Sequence, residues 1–273
     1  MRSRFGVCLR ALAVACGGTL AAASHAGSSL RSENHVFYSG TVGYNWATQA
    51  WDEDGSRYDT DCRSQYEQFS NYAEWGKSYY HTLYGQLGLA RSVCGGDDET
   101  GVTDLKAGLR GRINRYLNDR AWELEVTIPT RKGGPGASSV SCGAAELAAN
   151  VERQHDDVLP WLSVNYGASL RLAESPLEHS LRGKLGASGA LAPRWRWRVA
   201  VEQAVPLTDH DDSAADLSLP DCGTDASSTR GGGEVKFQWV KNVTLGCGAT
   251  MTFLGEDTRA YRGIYCGYSK LWE

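Results

Sequence analysis

The sequence predicts an all-β protein, an antiparallel up-and-down transmembrane β-barrel of 12 strands, and three observations support it. First, 32 glycines, 13 tyrosines and 9 tryptophans accompany only 5 phenylalanines and 2 methionines, which suits extended, aromatic-bordered strands better than a helical core. Second, short segments of alternating polarity recur along the chain, each separated from the next by a turn. Third, short and long connections alternate, as they do in bacterial outer-membrane barrels.

The composition also excludes several classes of protein. The hydrophobic content of 41% is too high for a disordered chain, and 7 prolines are too few for a proline-rich or collagen-like one. No uncharged apolar run of helical spanning length occurs beyond the N-terminal region, which argues against a helical membrane protein. The net charge of −4 makes nucleic acid an unexpected partner.

The first 26 residues have the pattern of a cleaved secretory signal peptide. Arg2, Arg4 and Arg10 form a basic region, residues 11–23 are small and apolar, and residues 24–26 read SHA, a small-x-small cleavage site. The alternatives are an anchor helix, which so short an Ala- and Gly-rich stretch would make poorly, and a lipoprotein modified at Cys16. We expect residues 27–273 to form one barrel domain.

Alternation of polarity places eleven clear strands and a weaker one near residues 143–153. With eleven strands, the long segment 207–232 would fall on the side of the short turns. Single-chain bacterial barrels also have an even number of strands, so the weak strand is included. Spanning strands must close on themselves because lipid satisfies no backbone group. The expected strands are 35–47, 64–76, 78–91, 102–114, 120–130, 143–153, 160–172, 177–187, 194–206, 233–241, 243–254 and 261–272.

With 12 strands, both termini are expected in the periplasm. The short periplasmic connections are then 77–78, 116–119, 154–158, 191–194 and 241–242. The external loops are 48–63, 92–101, 131–142, 173–176, 207–232 and 255–260. A soluble β-sandwich, the alternative fold, does not require this asymmetry.

Aromatic residues near strand ends are expected to form interfacial girdles. They are Trp46, Trp75, Tyr79, Trp122, Trp195 and Tyr261. The last strand nearly ends on Trp272, which resembles the C-terminal signature read by the outer-membrane assembly machinery, although Glu273 follows it. That machinery, outer-membrane lipids and lipopolysaccharide are the expected partners.

Four segments carry a resemblance to a known family. Residues 35–46 read HVFYSGTVGYNW, residues 51–57 read WDEDGSR, residues 71–76 read NYAEWG and residues 103–110 read TDLKAGLR. They resemble outer-membrane proteins of the XagA type, linked to surface polysaccharide clusters, and relatives named as phenol-degradation meta-pathway transporters. The likeness extends loosely over residues 33–206. It implies an outer-membrane channel or passive transporter for surface polysaccharide or small molecules, with exopolysaccharide-system components as further partners.

The polar faces of the expected strands place nine cations and seven anions in the lumen. They are Lys106, Arg110, Arg112, Arg171, Arg182, Lys184, Arg196, Arg198 and Lys236, with Glu74, Asp104, Glu123, Glu125, Glu178, Glu202 and Glu234. Such a lining could select ions by sign. Alternatively the charges pair and fill the lumen, which makes the barrel a plugged structural or assembly component. The selectivity candidates are Arg182, Arg196 and Arg198, with Arg110, Arg112, Glu74, Glu123 and Glu125.

No catalytic residue, cofactor or metal is expected. His179 and Ser180 are adjacent in a strand and point to opposite faces, so they cannot form a catalytic pair. An outer-membrane hydrolase using His210 is the third hypothesis. Residues 52–61 carry alternating carboxylates (Asp52, Asp54, Asp59 and Asp61) as calcium loops do, but they lack the downstream glutamate of an EF-hand, so a hydrated acidic loop is favoured.

Six cysteines remain after the signal peptide, and an even number in an exported chain indicates disulfides. A last hairpin centred between residues 256 and 257 puts Cys247 directly opposite Cys266 on the lipid face, where a bridge is geometrically possible. The alternative is two buried free thiols. By exclusion, Cys62 is expected to pair with Cys94, and Cys142 with Cys222.

Overall fold

The computed structural model describes residues 30–113, 120–130, 145–159, 162–173, 179–207, 227–256 and 258–273. The expected signal peptide, Cys142, Glu178, His210 and Cys222 lie outside these residues. Fourteen strands are described. They are β1 (Val36–Trp51), β2 (Arg57–Ser78), β3 (His81–Cys94), β4 (Asp97–Val102), β5 (Leu105–Arg112), β6 (Arg120–Ile128), β7 (Glu146–Leu159), β8 (Leu162–Ala173), β9 (Ser180–Ala192), β10 (Trp195–Pro206), β11 (Ser228–Val240), β12 (Val243–Gly255), β13 (Thr258–Arg259) and β14 (Arg262–Trp272).

Twelve of these strands form a closed antiparallel barrel, as the sequence predicts. β1 pairs with β2 along one edge and with β14 along the other, so that Val36 lies opposite both Trp75 and Trp272. The short strands β4 and β13 extend the β3 and β1 edges and are not part of the wall. We call the end of the barrel that carries both termini the terminal end, and the opposite end the loop end.

The barrel is apolar outside and charged inside. Val42, Leu89 and Ile264 are 60%, 55% and 56% exposed on the outer face, whereas Glu74 and Arg110 are buried on the inner one. Alternating side chains along each strand produce this inversion of the usual core, which suits a wall whose outer face contacts lipid. No helix among the described residues is long and apolar enough to cross a membrane.

Two of the expected external loops are largely strand. β1 continues to Trp51 and β2 begins at Arg57, so the turn in the predicted loop 48–63 occupies only residues 52–56. In the predicted loop 92–101, β3 and β4 form a hairpin around Gly95 and Gly96, both with positive φ. Strand pairing continues through these segments, which are rich in polar residues and lack the regular apolar alternation that predicts a strand.

The aromatic girdle is only partly as expected. Trp75, Tyr79 and Trp195 are exposed on the outer face or rim at the terminal end, and Trp195 packs on Phe237 with ring centroids 4.8 Å apart. The assignment of Tyr261 to the girdle is wrong. Its side chain is 5% exposed on the lumen side, where its hydroxyl lies 3.4 Å from the Ser64 Oγ.

Two disulfides join cysteines that the structure describes. Cys247 and Cys266 are register partners on β12 and β14 with Cα atoms 4.0 Å apart, in the register expected from the sequence. Cys62 and Cys94 join β2 to β3 near the loop end.

Candidate functional site

The lumen divides into sectors of different chemistry. Every charge that the sequence placed in the lumen, Glu178 and Asp104 excepted, lies on a strand face that points inward in the structure, and Asp104 is buried directly before β5. Sequence reasoning missed four further charges: Arg31, Glu146, Glu152 and Arg230. The polar positions that alternate with Leu147 and Val151 could have revealed the two glutamates, whereas Arg31 and Arg230 fell outside the expected strands.

The first sector, which we call the paired wall, is the inner face of β2, β3, β5 and β6. Glu74, only 1% exposed, lies at its centre. Its Oε1 accepts hydrogen bonds from the Tyr72 hydroxyl at 2.6 Å and from the Arg110 Nη1 at 3.0 Å. Arg110 also donates from Nε and Nη2 to the Glu123 Oε2, at 2.8 and 2.6 Å, and Asn150 donates to the other oxygen of Glu123. These charges are fully engaged with one another.

Aromatic rings fill the space beside this network. Tyr72 and Tyr84 have ring centroids 5.7 Å apart, and the Tyr84 hydroxyl donates to the Glu125 Oε2 at 3.0 Å. Tyr84 lies across Gly108 on β5, where any Cβ would overlap its ring. The paired wall therefore fills its side of the lumen with side chains.

An N-terminal strap, residues 30–35, lies against the paired wall at the terminal end. The Asn34 amide donates to the Gly76 carbonyl at 2.8 Å, and the Arg31 amide donates to the buried Thr82 Oγ1 at 2.9 Å. The Arg31 guanidinium pairs with Glu74 and lies 4.2 Å from the centroid of the Phe37 ring. The strap thus adds a cation to the lumen and narrows it at this end.

The second sector, the cationic wall, is the inner face of β7 to β11. Its described lumen-facing side chains comprise seven cations and four anions. They are Arg171, Arg182, Lys184, Arg196, Arg198, Arg230 and Lys236, with Glu146, Glu152, Glu202 and Glu234. The paired wall and its neighbours, the strap included, carry four cations (Arg31, Lys106, Arg110 and Arg112) and four anions (Glu74, Asp104, Glu123 and Glu125). The lumen is therefore polarised across its width.

Three ion pairs lie on the cationic wall among the described residues. Arg171 donates to Glu146 at 2.9 Å, Arg182 to Glu202 at 3.4 Å, and the Lys236 Nζ lies 3.1 Å from the Glu234 Oε2. Within the described residues, Lys184 and Arg196 form no ion pair.

The third sector, the glycine face, is the inner face of β12, β14 and β1, where the described lumen-facing side chains are uncharged. Gly246, Gly248 and Gly267 point no side chain into the lumen. At Gly248 a Cβ would come within 2.5 Å of the Gly233 carbonyl oxygen. The recess that they leave is bordered by Thr41 and Tyr265, and by Lys236 of the cationic wall. This free space therefore lies beside the Lys236–Glu234 ion pair at the edge of the cationic wall.

The structure separates the selectivity candidates into two groups. Arg182, Arg196 and Arg198 lie on the cationic wall, where Arg196 is opposite Lys236 and Arg198 is opposite Glu234 in the β10–β11 register. Glu74, Arg110, Glu123 and Glu125 belong to the paired wall, and Arg112 lies over the ring of Tyr79 at 4.2 Å. The first group lies on the side of the lumen where the described cations outnumber the anions, and Glu74, Arg110 and Glu123 of the second group bond to one another.

The calcium candidates do not converge. Asp52 caps its own turn by accepting a hydrogen bond from the Ser56 amide at 2.7 Å, and Asp59 accepts one from Gln49 on β1 at 3.0 Å. No group of three acidic, His or Cys side chains able to hold a metal occurs among the residues that the structure describes.

Comparison with known proteins places the fold. No family model matches the chain, and no curated protein matches it. Among solved structures, the COG4313 outer-membrane channel from Pseudomonas putida F1 is similar with a TM-score of 0.72 at 13% identity, over 90% of this chain and 98% of that one.

More distant barrels share the fold. The CymD monoaromatic hydrocarbon channel has a TM-score of 0.53 at 8% identity, over 95% of this chain and 94% of its own. The translocator domain of autotransporter NalP from Neisseria meningitidis has 0.51 at 12%, over 97% and 95%. Because channels and an autotransporter domain all match, the likeness shows an outer-membrane β-barrel fold and leaves function to the lumen.

Proposed function

We propose that this protein is a passive outer-membrane channel that prefers anions, with its terminal end in the periplasm. The observation that carries the proposal is the excess of cations on the cationic wall beside the open glycine face. An ion that crosses the lumen passes these cations, whereas Glu74 and Glu123 of the paired wall are already paired with Arg110.

The field of the cationic wall should reach across the lumen. Screening in about 0.1 M salt has a Debye length of about 10 Å, and a 12-stranded barrel encloses only a modest bore. Rings or rows of Arg and Lys are the usual basis of anion preference in pores. Anions should therefore be enriched in the lumen relative to cations.

The proposed cargo is small, water-soluble and anionic, since charge and hydroxyl groups line the open side of the lumen. The resemblance to XagA-type proteins supports a role near surface polysaccharide, with exopolysaccharide components, lipopolysaccharide and the outer-membrane assembly machinery as proposed partners. The inner face offers no histidine beside a serine and an acid in the described residues, which supports a transport role over hydrolysis.

The N-terminal strap and the filled paired wall favour one competing function, a plugged structural component. In that case the strap and the aromatic side chains of the paired wall would leave no continuous path for ions. Both functions share the same fold, so only conduction separates them.

Planar-bilayer recording of the refolded mature protein tests the proposal. We expect steady single-channel current and, under a salt gradient, a reversal potential on the anion-selective side. Heat-modifiable gel migration reports whether the sample is folded. Folded protein without current would support the plugged component, and current with cation preference would refute the proposed selectivity.

A further inference from the structure

We propose that the disulfide between Cys247 and Cys266 forms in the periplasm before the barrel enters the membrane, by thiol–disulfide exchange with a water-soluble disulfide oxidant. The oxidised hairpin of β12 and β14 would then reach the membrane with its register already fixed. The inference rests on where the two sulfurs lie in the fold and does not depend on the proposed channel activity.

Both cysteines point to the lipid face in the middle of an apolar surface. Leu245 and Ile264 lie beside them on the same two strands and are exposed outward. On the flanking strands, Val235 is the register partner of Cys247 and Val42 is the register partner of Cys266. In an assembled barrel the sulfurs are thus surrounded by outward apolar side chains and the acyl chains of the lipid.

Hydrocarbon blocks the exchange reaction. One cysteine must lose its proton, and its thiolate must attack the oxidant's disulfide and release one thiolate of the oxidant. The second cysteine then attacks the mixed disulfide, so that two protein thiols lose two electrons and two protons and the oxidant becomes two thiols. A thiolate in hydrocarbon is strongly disfavoured, and a soluble oxidant cannot reach the site.

A second disulfide, between Cys62 and Cys94, provides an internal contrast. Cys62 and Cys94 join β2 and β3 where these strands extend towards the loop end, and Cys94 is followed directly by the acidic hairpin of β4. The Arg259 Nη1 lies 3.8 Å from the Cys62 sulfur and 3.4 Å from the Cys94 sulfur. A neighbouring guanidinium favours the thiolate, so this pair can exchange with solutes after assembly.

Oxidation before insertion would have a structural consequence at the seam of the barrel. β14 closes the barrel by pairing with β1 as well as with β12. A shift of two residues between β12 and β14 would move the sulfurs out of direct opposition and prevent the bond. The oxidised hairpin therefore excludes the shifted registers before β14 meets β1.

The test compares the two bonds in one molecule. Fully reduced mature protein is inserted into phospholipid vesicles from urea and exposed to oxidised glutathione. The protein is then denatured, its free thiols are labelled, and peptide mass spectrometry gives the oxidised fraction of each cysteine. We expect Cys247 and Cys266 to oxidise at least about tenfold more slowly than Cys62 and Cys94, because the exchange needs an accessible thiolate. Oxidation in urea before insertion should form both bonds.

A second experiment follows reduction instead of oxidation, and it can be used if the reduced chain inserts poorly. Oxidised, inserted protein is treated with a membrane-impermeant phosphine reductant. We expect loss of Cys62–Cys94 and retention of Cys247–Cys266, and loss of both once the vesicles are dissolved and the protein is denatured. Equal rates for the two pairs in the inserted barrel, in either direction, would overturn the proposal.

Discussion

The paired wall and the cationic wall are built from the same residue types but use them differently. On the paired wall, Glu74 is engaged by Arg110, Tyr72 and Arg31, and Arg110 is held by two carboxylates. On the cationic wall, Arg182 reaches Glu202 through one contact of 3.4 Å. Charge on the first wall is cancelled locally, and charge on the second is left in excess.

This difference assigns separate roles to the two walls. Buried charges with several partners are costly to break, because each partner left behind is a buried charge without compensation. Excess charges along an open path act on passing ions with little effect on the fold. We therefore expect stability to depend on the paired wall and selectivity to depend on the cationic wall.

The largest expected effect comes from Glu74→Ala, which breaks the paired wall. It removes the acceptor shared by Arg110 and Tyr72, and loss of one partner from a buried ion pair costs about 3–5 kcal/mol. The urea midpoint of unfolding from vesicles measures it. The matched variant Glu202→Ala on the cationic wall should be clearly milder, and equal losses would mean that the walls do not differ in stability.

The next effect tests the assignment of faces on β10. Val201 is 37% exposed on the outer face between the inward-pointing Ala200 and Glu202. Val201→Arg should cost about 2–4 kcal/mol near the membrane midplane, since it places a charge in hydrocarbon. Val201→Leu is the control and should fold like the parent. If Val201→Arg assembles normally, the alternation on this strand has been assigned to the wrong faces.

A smaller effect is expected where the N-terminal strap contacts the paired wall. Gly76→Ala would place a Cβ on the Ser32 carbonyl oxygen and displace the strap. Single-channel conductance should rise while the barrel stays folded. Gly43→Ala is a suitable control, because its Cβ would meet nothing closer than 3.7 Å. Unchanged conductance in Gly76→Ala would show that the strap does not limit the path.

The smallest effect concerns an exposed pair near the loop end. Hydrogen bonds from Arg91 hold the pKa of Asp98 below its usual range. A carboxyl with a depressed folded-state pKa stabilises above its unfolded value of about 3.9, and the contribution is lost as pH falls through the lower folded value. Asp98→Asn should slightly weaken the dependence of the free energy of unfolding on pH at acid pH. An unchanged pH dependence would count against the ion pair.

The sequence predicts the barrel better than it predicts the lumen. The strand number follows from the alternation of polarity and from the even number of strands in single-chain barrels. The register of Cys247 against Cys266 follows from the position of the turn between their two strands. The sequence predicts loops at 48–63 and 92–101, where the structure has hairpins, because regular apolar alternation is lacking there. The position of Arg31 in the strap depends on Glu74 of β2 and Thr82 of β3. Only the folded barrel brings these three residues together.

For the same reason the sequence does not predict which lumen charges belong to the paired wall and which to the cationic wall. Glu123 and Glu202 both alternate with apolar neighbours, and nothing local distinguishes them. Their difference comes from neighbouring strands: Arg110 lies opposite Glu123, and Asn150 supports it from β7. The pairing of a charge across strands requires register, which the sequence determined only for the last hairpin.

The reversal potential of the double variant Arg196→Ala with Arg198→Ala tests the central claim most directly. Lys241→Ala, which removes an 84% exposed cation at the β11–β12 turn, is the matched control. We predict that the double variant folds normally and that its reversal potential moves towards cation selectivity, while the control stays at the wild-type value. A folded double variant with unchanged anion preference would contradict the assignment of selectivity to the cationic wall.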